Sequence, residues 1–119
     1  MIKLPESEIK IMSIIWDRDK ICAKDVSDYT MEHFGWKKNT AYTIIKNLVQ
    51  KGVLERIEPG FQLKPLVTRK EIGAEETESL IQKFYKGSAS VLFSALLKEE
   101  KLSPKELAEI EKLIEEARR

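Results

Sequence analysis

Apolar residues recur at helical spacing from the start of the chain. Ile9, Met12, Ile15 and Trp16 mark one face of a first helix over about 6–18, and Ile11 and Ile14 widen the stripe. Asp17-Arg18-Asp19 breaks it, and Lys20-Ile21-Cys22 reads as a short extended piece. A second helix over about 23–33 turns Val26 and Tyr29 inward and stops at Gly35. A third runs from about 38 to 51 and stops at Gly52. Residues 53–57 then read as a strand, Pro59-Gly60 as a turn and Phe61-Gln62-Leu63-Lys64 as a returning strand that Pro65 ends. After a connector near 65–72, three further helices are predicted at about 73–86, 88–101 and 103–118. The last has a strong start signal: Ser103 as N-cap, Pro104 in the first turn and Glu106 closing a capping box. The fold class is mainly α with a small β-hairpin.

The third helix has two unlike faces. At about 100° per residue, and with Thr40 at zero, Ala41, Ile44, Ile45 and Leu48 fall within roughly 40–140° and form a stripe for the core. Asn39, Tyr42, Thr43, Lys46, Asn47 and Gln50 fall within roughly 200–340°. That second face is polar yet nearly uncharged. A merely solvated helix carries Glu and Lys in pairs, and Asn, Thr and Tyr are weak helix formers. Amides and hydroxyls are the groups that hydrogen-bond base edges, and Lys is suited to phosphates.

Charge sharpens this picture. The 119 residues carry a net charge of only +1, but residues 1–70 hold 10 Lys and 3 Arg against 9 acids, whereas residues 71–119 hold 6 Lys and 2 Arg against 11 Glu. Between Glu32 and Glu55 there is no acid in 22 residues, while Lys37, Lys38, Lys46 and Lys51 all fall there. Such a stretch suits a polyanion. The single Cys excludes an internal disulfide and a Cys-based zinc cluster, and fits a reducing cytoplasm. No apolar run approaches the roughly 20 residues of a membrane span, and Met1 leads into Lys3 and Glu6 without an apolar signal segment. The expectation is a cytoplasmic protein with no membrane partner.

The helices after residue 70 are too apolar for their number. Leu80, Ile81 and Phe84 line one side of the fourth, and Val91, Leu92, Phe93, Ala95, Leu96 and Leu97 make the fifth apolar almost all round. Leu107, Ile110, Ile114 and Ala117 form a 3-4-3 seam on the sixth. A second copy is the expected cover. The division is therefore 1–70, a winged helix-turn-helix DNA-binding domain, and 71–119, a three-helix dimerisation region. In such a domain the third helix enters the major groove and the hairpin, with Arg56, lies along the backbone.

The chain resembles the penicillinase-repressor family of winged-helix regulators. The residues that carry the resemblance are Glu8-Ile9-Lys10-Ile11-Met12-Ser13-Ile14-Ile15-Trp16, Trp36-Lys37-Lys38-Asn39-Thr40-Ala41-Tyr42-Thr43 and Leu48-Val49-Gln50-Lys51-Gly52-Val53-Leu54. Phe84-Tyr85-Lys86-Gly87-Ser88 and Leu102-Ser103-Pro104-Lys105-Glu106-Leu107 follow in the same order. The resemblance implies a homodimeric repressor of a promoter dyad, with double-stranded operator DNA as partner. Asn39, Thr40 and Thr43 would face bases, with Tyr42 and Asn47 beside them, and Lys37, Lys38 and Lys46 would face phosphates. It also implies a regulatory protease that cuts an Asn–Phe bond, where this chain has Ala95-Leu96. That pair packs well in a helix, and the reading favoured is release by another signal or by a protease of different specificity. Relatives often place Ser-Pro where Lys37-Lys38 stand, the turn Pro59-Gly60-Phe61 lacks the basic residue often found there, and the cysteine cluster of the copper-responsive branch is missing.

The remaining chemistry-bearing residues have quieter readings. Cys22 beside Ile21 and Ala23 is expected to pack, His33 to lie at a surface or helix end, and Trp16 and Trp36 to anchor the small core. No nucleophile, base and orienter come together and no glycine loop cradles a phosphate, so an enzyme is not expected, nor a cofactor or metal. The alternative to DNA binding is a winged-helix module that docks a protein, which would show exposed aliphatics over 33–54 instead of Asn, Thr and Lys.

Overall fold

A computed structural model of the chain describes residues 2–119. Helix α1 (Glu6–Trp16) starts after Pro5, with Glu6 and Glu8 in the first turn at the positive end of the helix dipole. It buries Ile11, Met12, Ile14 and Ile15. Helix α2 (Ala23–Phe34) buries Ala23, Val26, Ser27 and Thr30, and ends at Gly35, whose φ of 69° lets Gly35 and Trp36 donate back to Met31 and Thr30. Tyr29 is only half-buried, its ring 4.1 Å from that of His33.

Helix α3 (Lys38–Gln50) inserts Ala41, Ile45 and Leu48 into the core. Gly52 follows at φ 77°, and the Val53 N–H returns to the Leu48 carbonyl at 3.0 Å. That left-handed turn drops Val53 and Leu54 into the same core. The hairpin pairs β1 (Leu54–Ile57) with β2 (Gln62–Pro65) in antiparallel register, Leu54 opposite Pro65 and Ile57 opposite Gln62. Leu63 N–H donates to Ile21 and Ala23 N–H to Phe61, both at 3.0 Å, so the extended piece around Cys22 seats the hairpin against the start of α2. The Cys22 thiol is free and half-buried.

Fourteen buried residues from Leu4 to Ile72 make one core, with Trp16 and Trp36 packed against it. Each large aliphatic among them stabilises by about 1.5–3 kcal/mol on burial. The Trp16 indole N–H donates to the Val67 carbonyl at 2.9 Å, which ties the segment after the hairpin back to α1.

Several boundaries differ from the periodic reading: the fourth helix ends at Phe84, not near 86, and the fifth at Lys98, not near 101. Helix α1 ends at Trp16, not near 18, because Arg18 N–H already turns back to Ile15. Helix α4 (Arg69–Phe84) begins four residues earlier than expected. Thr68 and Glu71 exchange the two hydrogen bonds of a capping box there, a Thr-x-x-Glu signal visible in the sequence. The division drawn at 70/71 thus lies inside α4, and the chain clusters into one compact unit up to Glu76 and a second over Thr77–Arg119.

The second unit holds the end of α4, then α5 (Ala89–Lys98) and α6 (Pro104–Ala117). Ser103 and Glu106 form the expected capping box, and Ser88 caps α5. No residue of α5 or α6 is fully buried. Ile81 is buried, Leu92, Leu96, Leu107 and Ile110 are half-buried, and Leu80, Phe84 and Ile114 are exposed, Phe84 by 71%.

Candidate nucleic-acid interface

The projection of α3 translates directly into exposure. Lys38, Asn39, Thr40, Thr43, Lys46, Asn47 and Gln50 are exposed, and Tyr42 is half-buried. Among the described residues, no hydrogen bond or ion pair engages the side chains of Asn39, Thr40, Thr43, Lys46 or Asn47. Their donors and acceptors therefore remain available to a partner. Ile44 departs from the expected stripe by being only half-buried.

The start of α3 is electropositive by construction. Lys37 is the N-cap, no side chain caps the helix, and the first turn carries no acid. Backbone N–H groups of that turn and the lysines Lys37 and Lys38 therefore offer positive potential together. Lys51 does not join them. Its Nζ lies 2.6 Å from the carboxylate of Glu8, which is 5% exposed, so this lysine anchors the end of α3 to α1. The other three lysines of the acid-free stretch, Lys37, Lys38 and Lys46, are exposed and form no ion pair among the described residues.

The hairpin meets α3 through aromatic rings. Phe61, at φ 51°, places its ring 5.9 Å from that of Tyr42, edge to face. The Lys38 ammonium lies 5.7 Å over the other ring of the pair, Tyr42, and the Arg56 guanidinium lies 3.6 Å over Phe61. Arg56 is further engaged: its Nε and Nη2 donate to one oxygen of Glu58 at 3.2 and 2.9 Å. The other Glu58 oxygen accepts the Phe61 N–H at 2.8 Å. That backbone hydrogen bond first, and Arg56 second, hold the Glu58 carboxyl below the usual glutamate range. Glu58 and Phe61 were not singled out as functional from the sequence. Glu58 lies in the turn just after β1, where strand alternation does not apply, and only the closed turn brings it to Arg56 and the Phe61 N–H.

Among the described residues, no group of His, Cys, Asp and Glu could hold a metal ion, and no helix is long and apolar enough to cross a membrane. Three helices closed by a hairpin, with the polar face of the third helix turned outward and a helical region after it, define a winged helix-turn-helix protein. Residues 4–116 match the family described as Penicillinase repressor, and the chain belongs to that family. It is 25% identical over 121 residues to the penicillinase repressor of Bacillus licheniformis, covering 98% of this chain and 94% of that one. The methicillin resistance regulatory protein MecI of Staphylococcus aureus strain N315 and that of Mammaliicoccus sciuri are each 26% identical over 114 residues, covering 94% of this chain and 93% of theirs. The family is one of repressors, not of enzymes.

Proposed function

We propose that this protein is a sequence-specific transcriptional repressor of the cytoplasm that holds a promoter dyad in double-stranded DNA as a homodimer. One observation carries the reading: an exposed helix face of unengaged amides, hydroxyls and lysine, free of acid, on the helix that a winged helix-turn-helix presents to the major groove. Asn39, Thr40 and Thr43 address base edges, with Tyr42 and Asn47 beside them, while Lys37, Lys38 and Lys46 address phosphates. A protein-docking helix would offer exposed aliphatics on this face, whereas the aliphatics of α3 are buried or half-buried.

Two-fold pairing through residues 77–119 covers the apolar faces left open on α5 and α6 and sets two recognition helices about 34–36 Å apart, one turn of DNA. Ala95 and Leu96 are both half-buried within α5, which favours release from DNA by another signal or by a protease of different specificity.

The test is selection of bound duplexes from a random pool, followed by titration of the enriched duplex at several salt concentrations. Affinity is expected to fall with a log–log slope of about −0.9 for each phosphate neutralised. Lys46→Ala should flatten that slope for all sequences alike. Asn39→Ala or Thr43→Ala should cost about 1–3 kcal/mol at the base pair contacted and relax the preference there. Enrichment of no motif, or binding indifferent to salt, overturns the reading.

A further inference from the structure

The hairpin carries one arginine and it stands in a place where it could serve. Arg56 lines a shallow depression of about 210 Å³ together with Lys46, Val49, Gln50 and Phe61.

 

Arg56 therefore borders the same depression as Lys46 and Gln50 of the outward face of α3. Its charge, however, is matched. Both contacts from its guanidinium go to Glu58, and that carboxylate is pinned from its other side by the Phe61 N–H. Phe61 in turn has the Arg56 guanidinium over its ring and meets the Tyr42 ring edge to face. A phosphate that draws Arg56 toward it must also approach a carboxylate that the Phe61 N–H holds in the turn. The attraction and the repulsion act at nearly the same place and largely cancel. Across the whole hairpin, Glu55 and Glu58 offset Arg56 and Lys64.

We propose that Glu58 is a specificity-determining residue: it neutralises Arg56 on the wing, so that the wing adds no sequence-independent attraction for phosphates and discrimination is left to α3. This rests on the DNA-binding reading above. Phosphate attraction strengthens binding to every sequence alike, so withholding one cation per subunit lowers non-specific affinity and widens the gap between operator and bulk DNA. The Phe61–Tyr42 contact keeps the wing beside α3 while its charge is silent.

The test titrates the full chain with two probes, the duplex enriched from the random pool and poly(dI-dC), over a range of salt. Glu58→Gln keeps an oxygen to accept the Phe61 N–H and removes the charge. It should steepen the salt slope by about 0.9 per subunit and tighten binding to poly(dI-dC) more than to the enriched duplex. Adding Arg56→Ala to Glu58→Gln should cancel that gain. Lys46→Ala is the control for the underlying reading, since it flattens the slope whatever Glu58 does. An unchanged slope in Glu58→Gln overturns the proposal, as does an Arg56→Ala single variant that flattens the slope as much as Lys46→Ala. Salt-insensitive binding by the unaltered protein overturns the DNA reading and this inference with it.

Discussion

Glu58 and Glu8 show how differently one residue type behaves at two sites. Glu58 is exposed, and its carboxyl is depressed chiefly by the Phe61 N–H and then by Arg56. A carboxyl whose folded pKa lies below its unfolded value stabilises the fold above the unfolded value, and that contribution is lost as pH falls through the depressed one. Side-chain NMR titration should therefore find Glu58 protonating below the usual glutamate range. In Arg56→Ala it should move up only part of the way, because the larger cause survives; a full return would show that the arginine dominates. Glu8 is buried and is met by Lys51 across 43 positions of sequence. Lys51→Met should strand that carboxylate and destabilise by about 1–3 kcal/mol in urea unfolding. Adding Glu8→Gln should recover part of the loss, and additive losses would mean that the two residues are not coupled.

At the scale of elements, α3 begins in a way that favours a ligand over stability. Lys37 occupies an N-cap position where Ser, Thr, Asp or Asn would satisfy a backbone N–H, and no side chain does so. Lys37→Asp should raise stability by about 1 kcal/mol, through the cap and the helix dipole. It should also weaken binding to the enriched duplex and flatten its salt slope, because it places an acid on the acid-free face. Thermal unfolding and the DNA titration on the same sample check both arms, and a gain in stability with unchanged binding would remove the start of α3 from the interface. The two faces of this helix were legible in the sequence, since a period of 3.6 fixes them once the helix exists. The beginning of α4 was legible too, in Thr68 and Glu71, but the apolar stripe starts later than the cap and drew the boundary toward 73.

For the whole molecule, the composition of the second unit points beyond a single chain. Its helices leave Leu80, Phe84, Val91, Leu97, Leu113 and Ile114 exposed. Large apolar surfaces of this kind associate in water, and a closed two-fold pair is the commonest way to cover them. Sedimentation equilibrium should find a dimer at micromolar concentration. Ile110→Glu should yield monomers and abolish binding to the enriched dyad while leaving the thermal transition of the winged unit in place. A stable monomer of the unaltered chain would defeat the dimer reading.

What the sequence determined by itself was everything set within a turn or two of chain. Helix faces follow from apolar spacing, the α6 capping box from Ser103 and Glu106, the helix stops from Gly35 and Gly52, and the hairpin from strand-forming residues around Pro59-Gly60. Tertiary structure alone decided the rest. Lys51 reads as one more outward cation until folding brings it to Glu8, and Trp16 reads as plain core until its indole finds Val67. Phe61 is the sharpest case. Its positive φ reverses the local chain direction, so strand alternation cannot say where the ring points, and only the closed hairpin brings it to Arg56 and Tyr42. Periodicity records which side of an element a residue faces; which partner waits on that side depends on distant chain, and no local pattern encodes it.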